Sequence, residues 1–310
     1  MEKKEYERIA KARAEKFFGG KIASIRYLGG GTFGRVFLCR AEQEPRALVV
    51  KLYLAKDLAK NEAADLELLA ASGAVRVPKV YFAETGDLDC VGMEYIKGKN
   101  AFTYLPFLFR SKRQKAAFCD AVIDRVVALH ERTNDKYGYA RGPEYDTWRD
   151  FYLAYAEDIM ATARRKREEG AFEENVLRAG EEALVVLREI LGGEPACLSH
   201  GDCNVMNIMA DKKTFLPIAF IDPLNALYGD PEYDLYQLGA LTGNCYGLVK
   251  RYLERVPTGE TTPLKVASYG VIHEIKCYES VGKYTGFIMR GAIRALKRAK
   301  KAYAKKKEQK

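Results

Sequence analysis

A short segment at residues 200–223, "HGDCNVMNIMADKKTFLPIAFIDP", concentrates side chains that could perform acid–base or metal chemistry. The polar residues of its first half are His200, Asp202, Asn204 and Asn207. Its second half ends with Asp222, which follows the apolar run "IAFI". Because burying a carboxylate without a partner is costly, we expect Asp222 to be buried and to need a cation or a chemical role.

A second stretch, "GGGTFGRVFL" at 29–38, has the glycine spacing of a phosphate-binding turn. Glycines let backbone N–H groups approach phosphate oxygens without side chains in the way. A tight turn between two strands also requires glycine, so the pattern alone is a weak signal. The dinucleotide-binding fingerprint is excluded because a predicted strand, not a helix, follows the turn. We expect a nucleotide to contact Gly29, Gly31, Thr32 and Gly34.

Lys51 stands in the apolar strand "RALVVKLYL", where valine would pack better. It either reaches outward from a sheet edge or binds a phosphate. The following predicted helix, 57–72, places Glu62 four residues from leucines on either side, on its apolar face. A carboxylate on that face requires a cation, and Lys51 is the main candidate. Glu67 is the less favoured partner, and Glu62 could instead be a solvated charge at the edge of the face.

Taken together, these features resemble the aminoglycoside phosphotransferase and fructosamine kinase superfamily, a group of small-molecule kinases with the protein-kinase-like fold. "HGDCNVMN" resembles the family's His-Gly-Asp-x-x-x-x-Asn motif, and "FIDP" resembles its metal-binding aspartate motif. "YGDPEYDLYQL" is similar to the stretch that follows in the family. The resemblance covers roughly residues 22–245, and the combination of motifs is far more specific than any one of them.

The resemblance implies phosphoryl transfer, which requires positioning and charge neutralisation more than covalent participation by the protein. Asp202 would accept or orient the proton of the attacking hydroxyl. Asn207 and Asp222 would supply the hard oxygen ligands that Mg²⁺ prefers. Lys51, held by Glu62, would bind the α- and β-phosphates of ATP.

The resemblance also implies supporting roles around these residues. In "MEYIKG", the backbone of Glu94 and Ile96 would hydrogen-bond adenine. Asp234 would brace the catalytic loop from the first turn of a following helix. His200 is expected to hold its loop by hydrogen bonds rather than to titrate during catalysis.

The elements that must position these residues fall into two regions that differ in predicted secondary structure. Strand-like segments and turns alternate from residue 22 to 96, around the helix at 57–72. From about residue 113 onward the periodicity is mostly helical, interrupted by the short strands "NIMAD" and "IAFID". We predict an α+β, two-lobed protein-kinase-like fold with a small antiparallel-sheet lobe containing one helix and a larger helical lobe. The predicted regions are a nucleotide-binding lobe at 1–96, a helical lobe with catalytic loop and acceptor site at 97–293, and a basic tail at 294–310.

The acceptor site is the part that the sequence determines least. In the superfamily, a helical insert and the last helices shape this site, and the insert here is rich in acidic and aromatic residues. Such residues could hold an amino-sugar or another cationic alcohol. They could equally form an ordinary amphipathic helix whose Trp and Tyr lie in the core. The candidate acids are Asp146, Asp150, Glu157, Asp158, Glu274 and Glu279.

Composition excludes several other classes of protein. The net charge is +9, but Arg294 to Lys310 contain nine Lys or Arg and one acid, so the excess belongs to a tail and nucleic-acid binding is disfavoured. The seven cysteines are scattered with no CxxC pair, which favours free thiols in a reducing compartment. No apolar run approaches the roughly 18 residues of a membrane span, and the charged N-terminus does not resemble a signal peptide. We therefore expect a cytoplasmic protein.

These observations predict a kinase that depends on ATP and Mg²⁺ and phosphorylates a hydroxyl of a small, polar, amino-sugar-like acceptor. A fructosamine or ketosamine kinase is the alternative, since "TWRDFY" is similar to an aromatic stretch in those enzymes. A protein kinase is disfavoured because Pro223 follows Asp222, and the eight residues 223–230 leave no room for an activation loop. A non-catalytic nucleotide-binding module would be expected to lack at least one catalytic, phosphate or metal residue, and all are present.

Overall fold

The structure, a computed structural model, describes residues 2–31, 34–107, 109–170, 173–223, 225–281 and 286–309, and the side chains at 279–281 are not described. The chain divides into two compact units. The first unit comprises Met1–Ala121 and Met206–Ala226, and the second unit comprises Val122–Val205 and Leu227–Lys310.

The first unit contains a five-stranded antiparallel sheet. Its elements in chain order are α1 (Lys3–Phe18), β1 (Ser24–Gly30), β2 (Gly34–Arg40), β3 (Ala47–Tyr53), α2 (Leu58–Ala71), β4 (Val80–Glu84) and β5 (Cys90–Glu94). The strand order is β1-β2-β3-β5-β4, and every neighbouring pair is antiparallel. This agrees with the sheet predicted from the sequence.

One face of this sheet is covered by α1, a helix beyond the single one predicted for this region. Ala10 and Ala14, one helical turn apart, are fully buried against Phe37 and Val50 of the sheet. Small side chains at that spacing let a helix approach a sheet closely. The charged residues of α1 are exposed or half-buried, whereas these two alanines are its buried residues.

The first unit also contains a three-stranded sheet in the order β10-β9-β6. Its strands are β6 (Lys99–Asn100), β9 (Ile208–Ala210) and β10 (Pro217–Phe220), and a 3₁₀ turn follows β6 at Leu105–Phe107. The hairpin β9–β10 corresponds to the predicted strands "NIMAD" and "IAFID", each shortened at its ends.

The second unit is mainly helical. Its helices are α4 (Trp148–Glu168), α5 (Glu174–Ile190), α6 (Tyr233–Gly239), α7 (Gly243–Tyr246), α8 (Leu248–Leu253), α9 (Thr262–Val281) and α10 (Gly286–Lys307), and α3 (Lys112–His130) contributes to both units. A small sheet, β7-β11-β8, is formed by β7 (Gly138–Tyr139), β8 (Cys197–Ser199) and β11 (Leu227–Gly229). The mixed architecture, an antiparallel sheet with many helices, confirms the predicted fold class.

Two further features bear on the sequence-based expectations. All seven cysteines are free thiols, as their spacing predicts. Within the ranges that the structure describes, none of the helices combines the length and the apolar content needed to cross a membrane.

Candidate functional site

In the first unit, Lys51 lies at the centre of a buried charged cluster. Its neighbours Val50 and Leu52 are fully buried in the core beneath α1, so the alternation of strand β3 turns Lys51 to the opposite face. There Lys51 Nζ lies 2.6 Å from Glu62 Oε2 on α2 and 2.5 Å from Asp222 Oδ1. This is the Lys51–Glu62 ion pair that the position of Glu62 on its helix predicts. Lys51 therefore does not reach outward from a sheet edge, and its partner on α2 is Glu62 rather than Glu67.

A third residue of this cluster, Tyr53, was missed by sequence reasoning. Its buried hydroxyl donates to Glu62 Oε2 over 2.5 Å, the same oxygen that contacts Lys51. Its ring centroid lies 5.1 Å from Lys51 Nζ, within the range of a cation–π contact. Residues two apart on a strand point to the same face, so the position of Tyr53 relative to Lys51 was the available signal.

Electrostatics keep Lys51 charged, whereas burial raises the pKa of Glu62 to about 7. Burial alone would lower the pKa of Lys51, but the carboxylates of Glu62 and Asp222 together outweigh it and raise that pKa. Burial and the adjacent Glu62 carboxylate raise the pKa of Tyr53 well above its usual value. The lysine is therefore an ammonium and the tyrosine a hydrogen-bond donor throughout the physiological pH range.

Asp222 was expected to be buried with the preceding apolar run, and that expectation was wrong. Its side chain is 49% exposed, although Phe220 of the same run is buried. Asp222 lies beyond the last residue of β10, and its φ of +57° turns the chain away from the strand. The carboxylate has the cation that was predicted for it, but it also remains accessible to solvent.

The β9–β10 hairpin brings the two expected metal ligands to the same end of the sheet. Asn207 immediately precedes β9, and Asp222 is the second residue after β10. The Ile221 N–H donates to the Asn207 carbonyl oxygen over 2.9 Å, which holds these two ends side by side. The Asn207 side chain is buried. The strand pairing, rather than proximity in sequence, therefore sets the relation between the amide and the carboxylate.

The glycine-rich turn joins β1 and β2 in the same unit. The Gly31 N–H donates to the Gly34 carbonyl oxygen over 3.2 Å, closing the turn. A Cβ atom at Gly34 would lie 2.8 Å from the Leu52 carbonyl oxygen, so the close approach of the strands requires glycine here. Gly29 and Gly31 have no atoms near a hypothetical Cβ. Thr32 lies outside the described residues.

The expected adenine-binding backbone follows β5. The Glu94 N–H donates to the Lys79 carbonyl over 2.8 Å, and the Ile96 carbonyl accepts from the Gly98 N–H over 3.0 Å. The Glu94 side chain accepts from Arg76 over 2.6 Å. Of the two residues, the Glu94 carbonyl and the Ile96 N–H are therefore the groups to consider for base recognition.

In the second unit, the catalytic-loop candidate Asp202 is half-buried, and its carboxylate is held locally. Asp202 Oδ1 accepts from the Asn204 side-chain amide over 2.6 Å, and the Asp202 carbonyl accepts from the Asn204 N–H over 2.9 Å. Gly201 precedes it with a φ of +80°, which favours glycine. Asn204 thus orients the carboxylate, a role that its position within the motif could have suggested.

Asp234 on α6 connects the loop to the interior of the second unit. Its fully buried carboxylate accepts from the His200 N–H over 3.2 Å and from the Gly201 N–H over 3.3 Å. His130 Nε2 lies 3.3 Å from the same carboxylate, and His130 Nδ1 lies 2.9 Å from the Tyr252 hydroxyl. His200 is fully buried. His130 was missed by sequence reasoning, because a histidine in the last turn of α3 has no local signal of its distant partner.

The acidic residues proposed for the acceptor site are dispersed, and several are already paired. Asp150 accepts from Thr147 Oγ1 over 2.6 Å at the start of α4, which is a helix-capping arrangement. Asp146 is paired with Lys136, and Glu157 with Arg164 and Arg188. Asp158 is exposed, and the side chain of Glu279 lies outside the described residues.

Glu274 has the surroundings that best suit a binding role. It is half-buried on α9 and accepts from the Tyr236 hydroxyl over 2.7 Å, while burial raises its pKa. Burial chiefly, together with the carboxylates of Glu274 and Asp202, raises the pKa of the neighbouring Cys277 thiol to about 12. Glu274 and Asp202 therefore both contribute to the shift at one thiol of the second unit.

The aromatic residues of the insert belong to the core, which was one of the two alternatives left open. Trp148 and Tyr152 are both about 1% exposed. The Trp148 indole N–H donates to the Tyr269 hydroxyl over 2.8 Å. A Cβ atom at Gly229 would lie 2.1 Å from the Trp148 ring, so β11 packs directly on the indole. Tyr155 alone is half-buried, with Lys276 Nζ 4.9 Å from its ring centroid.

Comparison with known proteins identifies the class to which this chain belongs. Residues 24–259 match the phosphotransferase enzyme family, APH. The chain is a member of that family and is a small-molecule phosphotransferase. A curated relative, the uncharacterized protein YcbJ of Escherichia coli (strain K12), is 21% identical over 255 residues, which are 79% of this chain and 83% of the relative.

Solved structures show the same fold at low sequence identity. The apo form of a thermostable mutant of aminoglycoside phosphotransferase APH(4)-Ia is 18% identical with a TM-score of 0.68, covering 94% of this chain and 98% of that chain. A putative fructosamine-3-kinase from Haemophilus somnus 129PT is 16% identical with a TM-score of 0.68, covering 92% and 96%. The gentamicin complex of APH(2")-IIa is 19% identical with a TM-score of 0.65, covering 96% of each chain. The predicted family and protein-kinase-like fold are thereby confirmed.

Proposed function

We propose that this protein transfers the γ-phosphate of Mg²⁺–ATP to a hydroxyl group of a small, polar, amine-bearing acceptor. The observation that supports this most directly is the cluster of Lys51, Glu62 and Asp222 in a chain whose family transfers phosphate. An ammonium held by two carboxylates, one buried and one exposed, suits a site that must release one contact when phosphate arrives. Related structures contain ADP or AMP-PNP, which supports ATP as the donor.

Lys51 would bind the α- and β-phosphates of the nucleotide. Glu62 remains beside it as a buried counter-charge that Tyr53 keeps in place. The glycine turn ending at Gly34 would present backbone N–H groups to the phosphates. The Glu94 carbonyl and the Ile96 N–H would hydrogen-bond the adenine edge.

Asn207 and Asp222 would hold the magnesium ion. An amide oxygen and a carboxylate are the hard donors that Mg²⁺ takes from proteins, and the β9–β10 hairpin brings both to one end of the sheet. When bound, the ion would neutralise charge on the β- and γ-phosphates. Asp222 would leave Lys51 to bind the ion, which its solvent-exposed side chain permits.

Asp202 would orient the acceptor hydroxyl and take its proton. Its side chain is held by Asn204, and its loop is held by the contacts of Asp234 with two backbone N–H groups. Such a fixed carboxylate supplies positioning as well as a base, which is what a loose phosphoryl-transfer transition state requires.

Glu274 supports an acceptor that carries an amine. Its carboxylate, like that of Asp202, raises the pKa of the Cys277 thiol, and it is half-buried on α9 beside the Tyr236 hydroxyl. Related proteins were solved with hygromycin B and with gentamicin. A ketosamine acceptor is the second candidate, supported by the similarity to a putative fructosamine-3-kinase.

The test is an ADP-release assay with Mg²⁺–ATP across aminoglycosides, fructosamines and simple amino-alcohols. We expect the wild type to turn over one acceptor class and Asp202→Ala to turn over none. Asp87 is an exposed acid in the turn before β5, and the control variant Asp87→Ala should keep the wild-type rate. Turnover that persists in Asp202→Ala would contradict the assignment of the base. Nucleotide binding without turnover on any acceptor would argue for a binding module instead.

A further inference from the structure

Two adjacent turns of the first unit present apolar side chains to solvent. Phe109, which follows the 3₁₀ turn, is 86% exposed, and Leu105 within that turn is 62% exposed. Leu216, in the turn between β9 and β10, is 42% exposed. Among the described residues Phe109 is the most exposed of the large apolar side chains. Exposed apolar side chains are ordinary singly, but grouped ones indicate an interaction surface.

Contacts beneath the surface show that the two turns form one structure. Arg110 Nη2 donates to the Lys212 carbonyl over 2.5 Å, and Lys212 Nζ lies 5.8 Å from the Tyr104 ring centroid. Phe107 and Phe215 are buried, with ring centroids 4.5 Å apart. Each turn therefore anchors one phenylalanine inward, while Leu105, Phe109 and Leu216 are exposed.

Exposed basic residues lie within a few positions of these apolar side chains along the chain. From Tyr95 to Cys119 the chain contains six Lys or Arg and no Asp or Glu. Lys112, Arg113, Lys212 and Lys213 are exposed. The nearby acid Asp211 accepts hydrogen bonds from the backbone N–H groups of Lys213 and Thr214, both over 2.8 Å, so its carboxylate serves the turn itself. We call Leu105, Phe109 and Leu216 with these four basic residues the basic apolar patch.

We propose that the basic apolar patch binds the surface of a membrane containing anionic phospholipids. Phe109, Leu105 and Leu216 would enter the boundary between headgroups and acyl chains, and the lysines and arginines would remain among the headgroups. The combination of an apolar anchor with a polybasic rim is the two-signal arrangement that stable peripheral binding requires. This inference does not depend on the identity of the acceptor.

The shape of the patch favours a lipid surface over an acidic protein. The apolar side chains project from turns, and a protein partner would need a pocket matched to each of them. The lipid boundary accepts apolar side chains of any shape because acyl chains are fluid. The positive charge around the tips complements anionic headgroups, whereas it would oppose self-association of two identical patches.

The proposal is tested by co-sedimentation of the full chain with vesicles of phosphatidylcholine alone or of phosphatidylcholine mixed with phosphatidylserine. We expect binding to the mixed vesicles only, weakened by added salt. Leu105→Ser/Phe109→Ser should reduce binding by about tenfold or more, and Lys112→Ala/Arg113→Ala should reduce it by several-fold. A matched pair, Val185→Ser/Leu253→Ser, alters exposed apolar residues of the second unit and should bind as the wild type does.

Three results would overturn the proposal. The first is that the protein sediments equally with both kinds of vesicle. The second is that Leu105→Ser/Phe109→Ser binds the mixed vesicles as the wild type does. The third is that only Lys305→Ala/Lys306→Ala, in the basic end of α10, loses binding. Light scattering tests for self-association. If the wild type is a dimer that does not bind vesicles, and Leu105→Ser/Phe109→Ser makes it a monomer, the patch is a dimer interface and the proposal is wrong. Thermal melting of each variant establishes that it is folded.

Discussion

In the first unit the carboxylates of Glu62 and Asp222 share one ammonium, that of Lys51, whereas in the second unit Asp234 accepts from the backbone N–H groups of His200 and Gly201. The first arrangement consists of side chains that can exchange partners. The second is tied to the main chain, so it cannot change without moving the loop. The two units therefore stabilise functional carboxylates in different ways.

The difference corresponds to the roles that we propose. A group that must bind phosphate or metal has to leave its resting partner, and a shared ion pair permits this. A group that must orient a hydroxyl has to stay still, and the backbone hydrogen bonds that Asp234 accepts hold the loop that carries Asp202. Substitutions in the two units should consequently differ in kind as well as in size.

The largest effect is expected from Asp202→Ala. Loss of the positioning carboxylate should lower kcat by about 10³-fold, within the range measured for general bases. Binding of Mg²⁺–AMP-PNP should stay near the wild-type value because Asp202 belongs to the acceptor side of the reaction. Calorimetric titration and single-turnover kinetics separate the two quantities, and a parallel loss of nucleotide affinity would contradict the assigned role.

Asp234→Ala should chiefly affect structure. It leaves the His200 and Gly201 N–H groups without their buried acceptor, which we expect to cost about 3 kcal/mol in the free energy of unfolding. Amide hydrogen exchange at residues 200 and 201 should accelerate. Asp124→Ala removes an acid of the second unit that is paired with Arg255 near the surface and should cost under about 1 kcal/mol. If both variants lost the same free energy of unfolding, the backbone contacts of Asp234 would contribute no more than a surface ion pair.

Acid should destabilise the second unit through His273. Burial chiefly, together with the nearby Lys276, lowers the pKa of His273 to about 3. The unfolded chain, with a histidine pKa near 6.5, binds more protons below that pH than the folded chain does. The free energy of unfolding should therefore fall as pH drops through 6.5, by about 2 kcal/mol at about pH 5.

The measurement for His273 is denaturant unfolding across that pH range. His273 Nε2 lies 2.8 Å from the Gln237 side-chain amide and 3.2 Å from Cys277 Sγ, and the folded structure holds the ring neutral among these groups. His273→Gln should show a shallower dependence on pH. An identical slope in the variant would assign the acid sensitivity to other groups.

The smallest effect is expected from Tyr53→Phe. It removes one hydrogen bond to Glu62 Oε2 and should weaken Mg²⁺–ATP binding by about fivefold, equivalent to about 1 kcal/mol. Tyr81→Phe, on the edge strand β4, is the matched control and should bind nucleotide normally. In a Glu62→Leu background, which removes the acceptor, the Tyr53 effect should largely disappear. A loss of the same size in that background would mean that Tyr53 acts through packing alone.

Sequence reasoning predicted the local parts of this protein. The alternation of β3 and the helical period of α2 were sufficient to place Lys51 and Glu62 on facing surfaces. The segment at 200–223 was sufficient to predict the two short strands "NIMAD" and "IAFID", which contain Asn207 and Asp222. Such inferences succeed because side-chain direction follows a short, fixed period within one element.

Only the tertiary structure decided the relations between distant elements. It paired Asp222 with Lys51 while leaving the carboxylate exposed, added Tyr53 and His130 as supporting residues, and used Asp146, Asp150 and Glu157 in local ion pairs and a helix cap. These outcomes depend on strand register, on the path of the chain after each strand and on which side chains reach one another. Local periodicity contains none of that information, because it specifies the face of an element but not the partner that covers it.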